Sequence, residues 1–146
     1  MKGMSLIVKK VAQLITGFIF LYGIYIIVHG HLTPGGGFAG GALIAGSYIL
    51  GILAFGSESV ILKKEETGSS LTESISILAI IMLAVAGFFI GTKVFFNNYL
   101  PTGKIGELVS AGVIPLYNIF IGIEVASALL TIFLALIIYK EEIEEW

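Results

Sequence analysis

The residue best suited to chemistry is Glu124, a carboxyl side chain in the middle of an apolar stretch. It lies between Ile123 and Val125, where a charge at the centre of a bilayer costs at least about 2.5 kcal/mol. We therefore expect it to face protein, beside the hydroxyl, small and aromatic side chains that share its helical face: Tyr117, Phe120, Ser127, Ala128 and Thr131. Such a carboxyl suits proton or ion transfer. The alternative is that it only holds helices together, either protonated or paired with a lysine of a neighbouring subunit.

Two histidines, His29 and His31, follow the first apolar stretch. Imidazole ligates zinc, but a zinc site needs three or four ligands, and the chain has no cysteine or aspartate to help. The sequence therefore predicts no metal site. Imidazole also titrates near neutral pH, so the pair could shape a proton inlet or outlet. The alternative is that both histidines only hydrogen-bond the glycine-rich turn that follows.

That turn is a triple glycine, Gly35-Gly36-Gly37, at the start of the second apolar stretch. It lacks the Lys-Ser/Thr ending of a phosphate-binding loop and follows no predicted strand, so we interpret it as backbone freedom for a tight turn. From here on small residues lie four positions apart, as from Gly37 to Gly41 and from Gly41 to Ala45, which predicts close helix packing on one face. The residues expected to pack helices are Gly37, Gly40, Gly41 and Ala45.

Two further polar residues, Lys93 and Asn118, lie near the ends of apolar stretches. Each could hydrogen-bond or pair with Glu124 or with a partner subunit. Lys93 falls in the last turn of the predicted third helix, so snorkelling of its ammonium group to the membrane surface is the alternative.

These residues require membrane helices to position them. The chain is 57% hydrophobic and only 12% charged, with a mean hydropathy of +1.02, so lipid must be its solvent. A spanning helix needs about 20 apolar residues, and four stretches qualify: 11–28, 38–57, 74–96 and 116–139. The sequence thus predicts an all-α integral membrane fold, one domain over residues 1–146, in the cell membrane. Pro115 should break the last stretch, leaving a short helix at 108–114.

The lysines indicate the orientation of these four spans. Six of the eight fall on the side that holds both termini and the mixed-charge connector 58–73, in which we find no evident chemistry. Cytoplasmic segments are rich in lysine and arginine, so both termini should be cytoplasmic.

Several classes of function are excluded by composition. Without cysteine the chain cannot bind an iron–sulfur cluster through thiolates, so any redox chemistry must belong to a partner. The lysines form no stripe that could follow a phosphate backbone, which argues against nucleic acid. No nucleophile–base pair is apparent, so we expect no catalytic site in this chain.

Two longer strings carry a family resemblance. Residues 29–41, HGHLTPGGGFAGG, closely resemble the signature of the B subunit (MnhB/MrpB) of Mrp-type multisubunit sodium/proton antiporters. Residues 118–126, NIFIGIEVA, resemble the second motif of the same family, with its asparagine, glycine and glutamate. Together with the chain length and the four predicted helices, these motifs extend the resemblance over nearly the whole chain.

The resemblance implies a small subunit of an ion-translocating module, with Na⁺ and H⁺ as transported ions and no cofactor of its own. Its partners would be large antiporter-like subunits and a small C-like subunit. The same module occurs in archaeal membrane-bound hydrogenases and sulfur-reducing relatives of respiratory complex I, where nickel–iron or iron–sulfur subunits are added. Glu124, His29 and His31 carry over as ion-path positions. Which type of complex applies stays open, as does the alternative of a purely structural packing subunit.

Overall fold

The structure, a computed structural model, describes residues 4–56, 62–90 and 93–144. These residues form four long helices and no strand: α1 (Leu6–Val28), α2 (Gly36–Phe55), α3 (Leu62–Ile90) and α4 (Ile114–Glu144). Each helix is long and apolar enough to cross a membrane. The predicted all-α membrane fold with four spans is therefore confirmed. Residue 57, the predicted end of the second helix, lies outside the described residues.

Helix α1 begins before the apolar run from which it was predicted. The Ser5 hydroxyl accepts a hydrogen bond from the Val8 backbone N–H at 3.5 Å, which caps the first turn. Lys9 and Lys10 continue the helix because straight-chain side chains lose little freedom in it. The helix ends at Val28, and the backbone N–H of His29 donates to the Tyr25 carbonyl.

Helix α3 corrects two predictions. Residues 62–73 were assigned to a connector, but they are helical, because lysine and glutamate are good helix formers. Hydroxyls in this stretch are satisfied within the helix, as when Thr72 donates to the Gly68 carbonyl at 2.9 Å. The helix also ends at Ile90, so Lys93 does not lie in its last turn. Lys93 instead has a positive φ of 62° and an exposed side chain.

The predicted short helix at 108–114 does not form. Ala111 and Gly112 have positive φ angles of 62° and 63°, which are incompatible with a right-handed helix. Helix α4 begins immediately afterwards at Ile114, with Pro115 in its first turn, where a proline costs no hydrogen bond. The Asn98 side chain accepts a hydrogen bond from the Val113 N–H at 3.1 Å and so holds the preceding segment against the start of α4.

The helices pack in the order α1, α2, α4, α3, and α1 also touches α4. Few side chains are fully buried, Leu134 and Ser47 being the largest. Most large apolar side chains on the four helices point outward, which is the arrangement expected when lipid or other subunits surround the bundle.

Candidate functional site

Helix α2 crosses α1 at a contact between glycines. A Cβ added to Gly40 would lie 2.7 Å from the Gly23 carbonyl oxygen and 2.5 Å from Ile27. A side chain at either glycine would therefore push the two backbones apart. Ala45, farther along α2, is also buried, with 1% of its surface exposed.

The opposite side of α2 meets α4 just as closely. A Cβ on Gly37 would lie 2.5 Å from the Asn118 carbonyl oxygen, and one on Gly41 would lie 2.5 Å from the Gly122 carbonyl oxygen. All four residues predicted to pack helices are thus buried, and the glycines among them contact helices of this same chain.

The Asn118 side chain links the triple glycine to α4 through a hydrogen bond. Its Oδ1 accepts a hydrogen bond from the Gly37 N–H at 3.3 Å, in the first turn of α2. Gly35 and Gly36 have φ angles of 126° and 60°, so this turn requires glycine. The Asn118 Nδ2 is buried and has no hydrogen-bonding partner among the described residues, and a Cβ on Gly30 would lie 2.8 Å from it. The two N–H donors of this nitrogen therefore have no acceptor in the described part of the chain.

The two histidines lie beside this junction but bond in different directions. The His29 ring stacks on Tyr25 with ring centroids 4.1 Å apart, and its Nδ1 lies 2.9 Å from the Tyr25 carbonyl oxygen. The His31 Nε2 lies 3.3 Å from the Glu107 carbonyl oxygen, in the segment before α4. The His31 Nδ1 is buried, with no hydrogen-bonding partner among the residues that the structure describes. Within the described part of the chain, no three histidine or acidic residues converge as metal ligands.

Glu124 lies on a different side of α4 from this junction, the side that faces α3. The Ser69 and Thr131 hydroxyls are 2.7 Å apart and join the two helices. Ser76 and Glu124 are each about two helical turns from that pair, so they lie at the same depth on facing sides of α3 and α4. Glu124 is half-buried, and its carboxyl group makes no hydrogen bond or ion pair with the described residues.

Lys93 is far from this carboxyl group. Ile90, at the end of α3, is about 20 Å along the helix from Ser76. Lys93 follows it on a segment that folds back along α3, where Phe95 stacks on Phe88. Asn118 belongs to the α2 side of α4. The structure therefore brings Asn118, His29 and His31 to the end of the bundle at which α3 also ends, and leaves Glu124 in the middle of the bundle.

Comparison with known proteins agrees with the two motifs. The family described as "Domain related to MnhB subunit of Na+/H+ antiporter" matches residues 7–131. The chain belongs to the MnhB family. Staphylococcus aureus proteins named antiporter subunit mnhB2 are 30% identical to this MnhB chain over 144 residues, which is 93% of the chain and 96% of their length.

Two other MnhB relatives are longer. An uncharacterized protein of Methanocaldococcus jannaschii is 39% identical over 132 residues, covering 86% of this chain and 49% of its own. A chain of the membrane-bound sulfane sulfur reductase, an archaeal respiratory membrane complex, superposes with a TM-score of 0.73 and 36% identity, covering 88% of this chain and 56% of that one. This MnhB chain thus spans about half the length of these relatives. It is a multi-pass membrane protein whose relatives include subunits of multisubunit membrane complexes.

Two acidic residues of α3 were not among the predicted site residues. Glu66 and Glu73 lie on the side of α3 that carries the buried Ser69 and Ser76, and both are half-buried. Their spacing of three and four residues is the helical signal that could have found them. It was overlooked because this segment was assigned to a connector. In this MnhB chain the contact between α3 and α4 is therefore polar over about three helical turns.

Proposed function

We propose that this chain is a small subunit of an Mrp-type sodium/proton antiporter module, and that Glu124 borders the path taken by Na⁺ or H⁺. The observation that carries the proposal is the half-buried carboxyl group in the middle of α4, which has no hydrogen-bonding or ionic partner among the described residues. A charge at this depth is costly unless a proton, a cation or a neighbouring group compensates it.

The surroundings of Glu124 support a transfer role. Ser76 is buried at the same depth, and Ser127 and Thr131 follow on the same helix. Hydroxyl groups can both donate and accept, so they can pass a proton or replace part of the hydration shell of a cation. A carboxyl group that is not held in an ion pair stays free to bind and release either one.

The polar residues outside the middle of α4 have a different role from that of Glu124. His29, His31 and Asn118 lie together at the end of the bundle where α1 ends and α4 begins, and two buried nitrogens there have no hydrogen-bonding partner among the described residues. We assign them to one mouth of the path. Lys93, exposed beyond α3, would contact a partner or the membrane surface.

The proposed partners are antiporter-like large subunits and a C-like small subunit. The resemblance to a subunit of the sulfane sulfur reductase supports a second setting, in which iron–sulfur or nickel–iron subunits drive the same membrane module. In that second setting the thiolate-bound metal centres would belong to other chains, since this one has no cysteine.

The test is Glu124→Gln in the complete complex, reconstituted in vesicles. We expect normal assembly and a loss of Na⁺-driven proton movement of at least about tenfold, a factor that corresponds to only about 1.4 kcal/mol. Glu107→Gln, an exposed loop residue that contributes only its backbone carbonyl to His31, is the matched control. Full transport by the Glu124 variant would reject an ion-path role and favour the purely structural subunit.

A further inference from the structure

We infer that the groove between α3 and the α1–α2 pair receives a transmembrane helix of another subunit, an amphipathic one whose polar side carries lysine or arginine opposite Glu65. This inference rests on the chain working within a multisubunit membrane complex, but not on any transport role of Glu124. The groove has a volume of about 890 Å³, and α4 forms its floor.

The two walls of the groove differ in polarity. One wall is the first part of α3, with Glu65, Gly68 and Thr72. The other is mainly apolar and comes from α1 and α2, with Phe20, Ile44 and Ile52 among its side chains. Since all of them line one groove, the polar part of α3 lies at the same depth as the apolar spans of α1, α2 and α4.

The contacts that align the helices also place the first part of α3 at the depth of the apolar spans. The Ser69–Thr131 contact sets the first third of α3 beside the apolar second half of α4. The Gly41–Gly122 contact sets α2 alongside the same helix. A bilayer core of about 30 Å that covers the apolar spans of α1, α2 and α4 therefore also surrounds α3 from about Glu65 onward.

Lipid is a poor occupant of such a groove. From residue 65 to residue 76, α3 contains three glutamates, six serines or threonines, and no lysine. Glu65 is exposed, and its carboxyl group has no partner among the described residues. Hydroxyls such as those of Thr72 and Ser76 already donate to carbonyls of α3, but an acyl chain would leave the Glu65 carboxyl group uncompensated, at a cost of several kcal/mol.

An amphipathic helix matches both walls. Its apolar side would cover Phe20 and Ile44, while a basic side chain would compensate Glu65. A Cβ built on Gly68 meets nothing within 4 Å, so another backbone can approach α3 closely there. The acidic and hydroxyl-rich wall thus selects a helix with complementary charge.

The first experiment is photo-crosslinking in native membranes, with a diazirine-bearing amino acid at Thr72 and, as the lipid-facing control, at the exposed Leu136. We expect the Thr72 probe to capture one peptide from an apolar segment of another subunit that contains lysine or arginine, and the Leu136 probe to capture phospholipid. Phospholipid or water adducts at Thr72, or a captured segment with no basic residue, would overturn the inference.

The second experiment is charge reversal. Glu65→Lys should reduce co-purification of the other subunits by about tenfold or more, since it places like charges together at low dielectric, whereas Glu65→Gln should reduce it less. Glu107→Lys, outside the groove, is the control. Equal assembly of the two Glu65 variants would contradict the inference. Because the readouts are crosslinking and assembly, they can fail while Glu124→Gln still abolishes transport, and the reverse is equally possible.

Discussion

Asn118 shows how the two sequence motifs depend on each other. It belongs to the second motif, yet its Oδ1 binds the N–H of Gly37 in the first, and Gly30 and Gly36 leave room for its side chain. The glycines of the first motif and the asparagine of the second are therefore parts of one contact. A bulky residue at Gly30 would collide with the Asn118 side chain.

We expect Asn118→Leu to destabilise the protein by about 1–3 kcal/mol, because the Gly37 N–H would lose its acceptor. Asn118→Asp keeps an acceptor oxygen and adds a negative charge at a helix N-terminus, which is favourable, so it should cost less. The measurement is the thermal unfolding midpoint of the purified complex. Equal losses for the two variants would show that the hydrogen bond to Gly37 is unimportant.

The Glu124 carboxyl and the unused nitrogens of His31 and Asn118 differ in environment. The nitrogens lie at a closed junction near one end of the bundle, whereas the carboxyl lies at mid-span on the α3 side. Their separation means that a substitution at one of them tests that position alone.

At the scale of helices, α2 depends on glycines on two sides. Gly40 allows the close approach of α2 to α1, and Gly41 allows its close approach to α4. We expect Gly41→Ala to cost about 1–3 kcal/mol by overpacking. Gly46 lies on the same helix with nothing within 4 Å of an added Cβ, so Gly46→Ala should be neutral or stabilise by about 0.5–1 kcal/mol.

Both α2 variants are to be compared by thermal unfolding and by the yield of folded protein in membranes. Similar stability of the two would mean that the close approach of α2 and α4 is not required. Loss of subunit assembly in the Gly46 variant alone would show instead that this open side of α2 contacts a partner.

Helix α3 is the element whose character differs most from its sequence-based assignment. Its polar first third is continuous with the apolar remainder and packs on α4 through Ser69 and Thr131. Hydropathy alone divides this helix into a connector and a span, because hydropathy averages over side chains and does not register hydrogen bonds between helices. The consequence is that polar groups lie at bilayer depth and need a protein neighbour.

For the whole molecule, the order α1, α2, α4, α3 leaves α3 attached mainly through α4. The bundle is therefore an open layer of helices with a groove on one side, rather than a closed core. Such a shape fits a subunit that completes its packing against others.

The orientation in the membrane is a prediction about the whole chain. With four crossings both termini lie on one side, and the lysine distribution indicates the cytoplasm. Reporter proteins fused after the C-terminus and before the N-terminus should both be active as cytoplasmic reporters, while a reporter inserted at Lys104 should behave as external. Reporters on opposite sides at the two termini would contradict a four-span arrangement.

The sequence by itself determined the membrane class, the number of spans and the family motifs, and it predicted a role for Glu124 that stays a prediction. It could do so because the length and the hydropathy that a spanning helix needs are local properties of the sequence. A charge inside such a stretch is equally visible in the sequence. Only the tertiary structure decided where α3 begins, that 108–114 is not helical, that Lys93 is remote from Glu124, and that His31 meets Glu107. These depend on contacts between residues far apart in the chain, and on positive φ angles at positions such as Ala111, where residue type does not demand them.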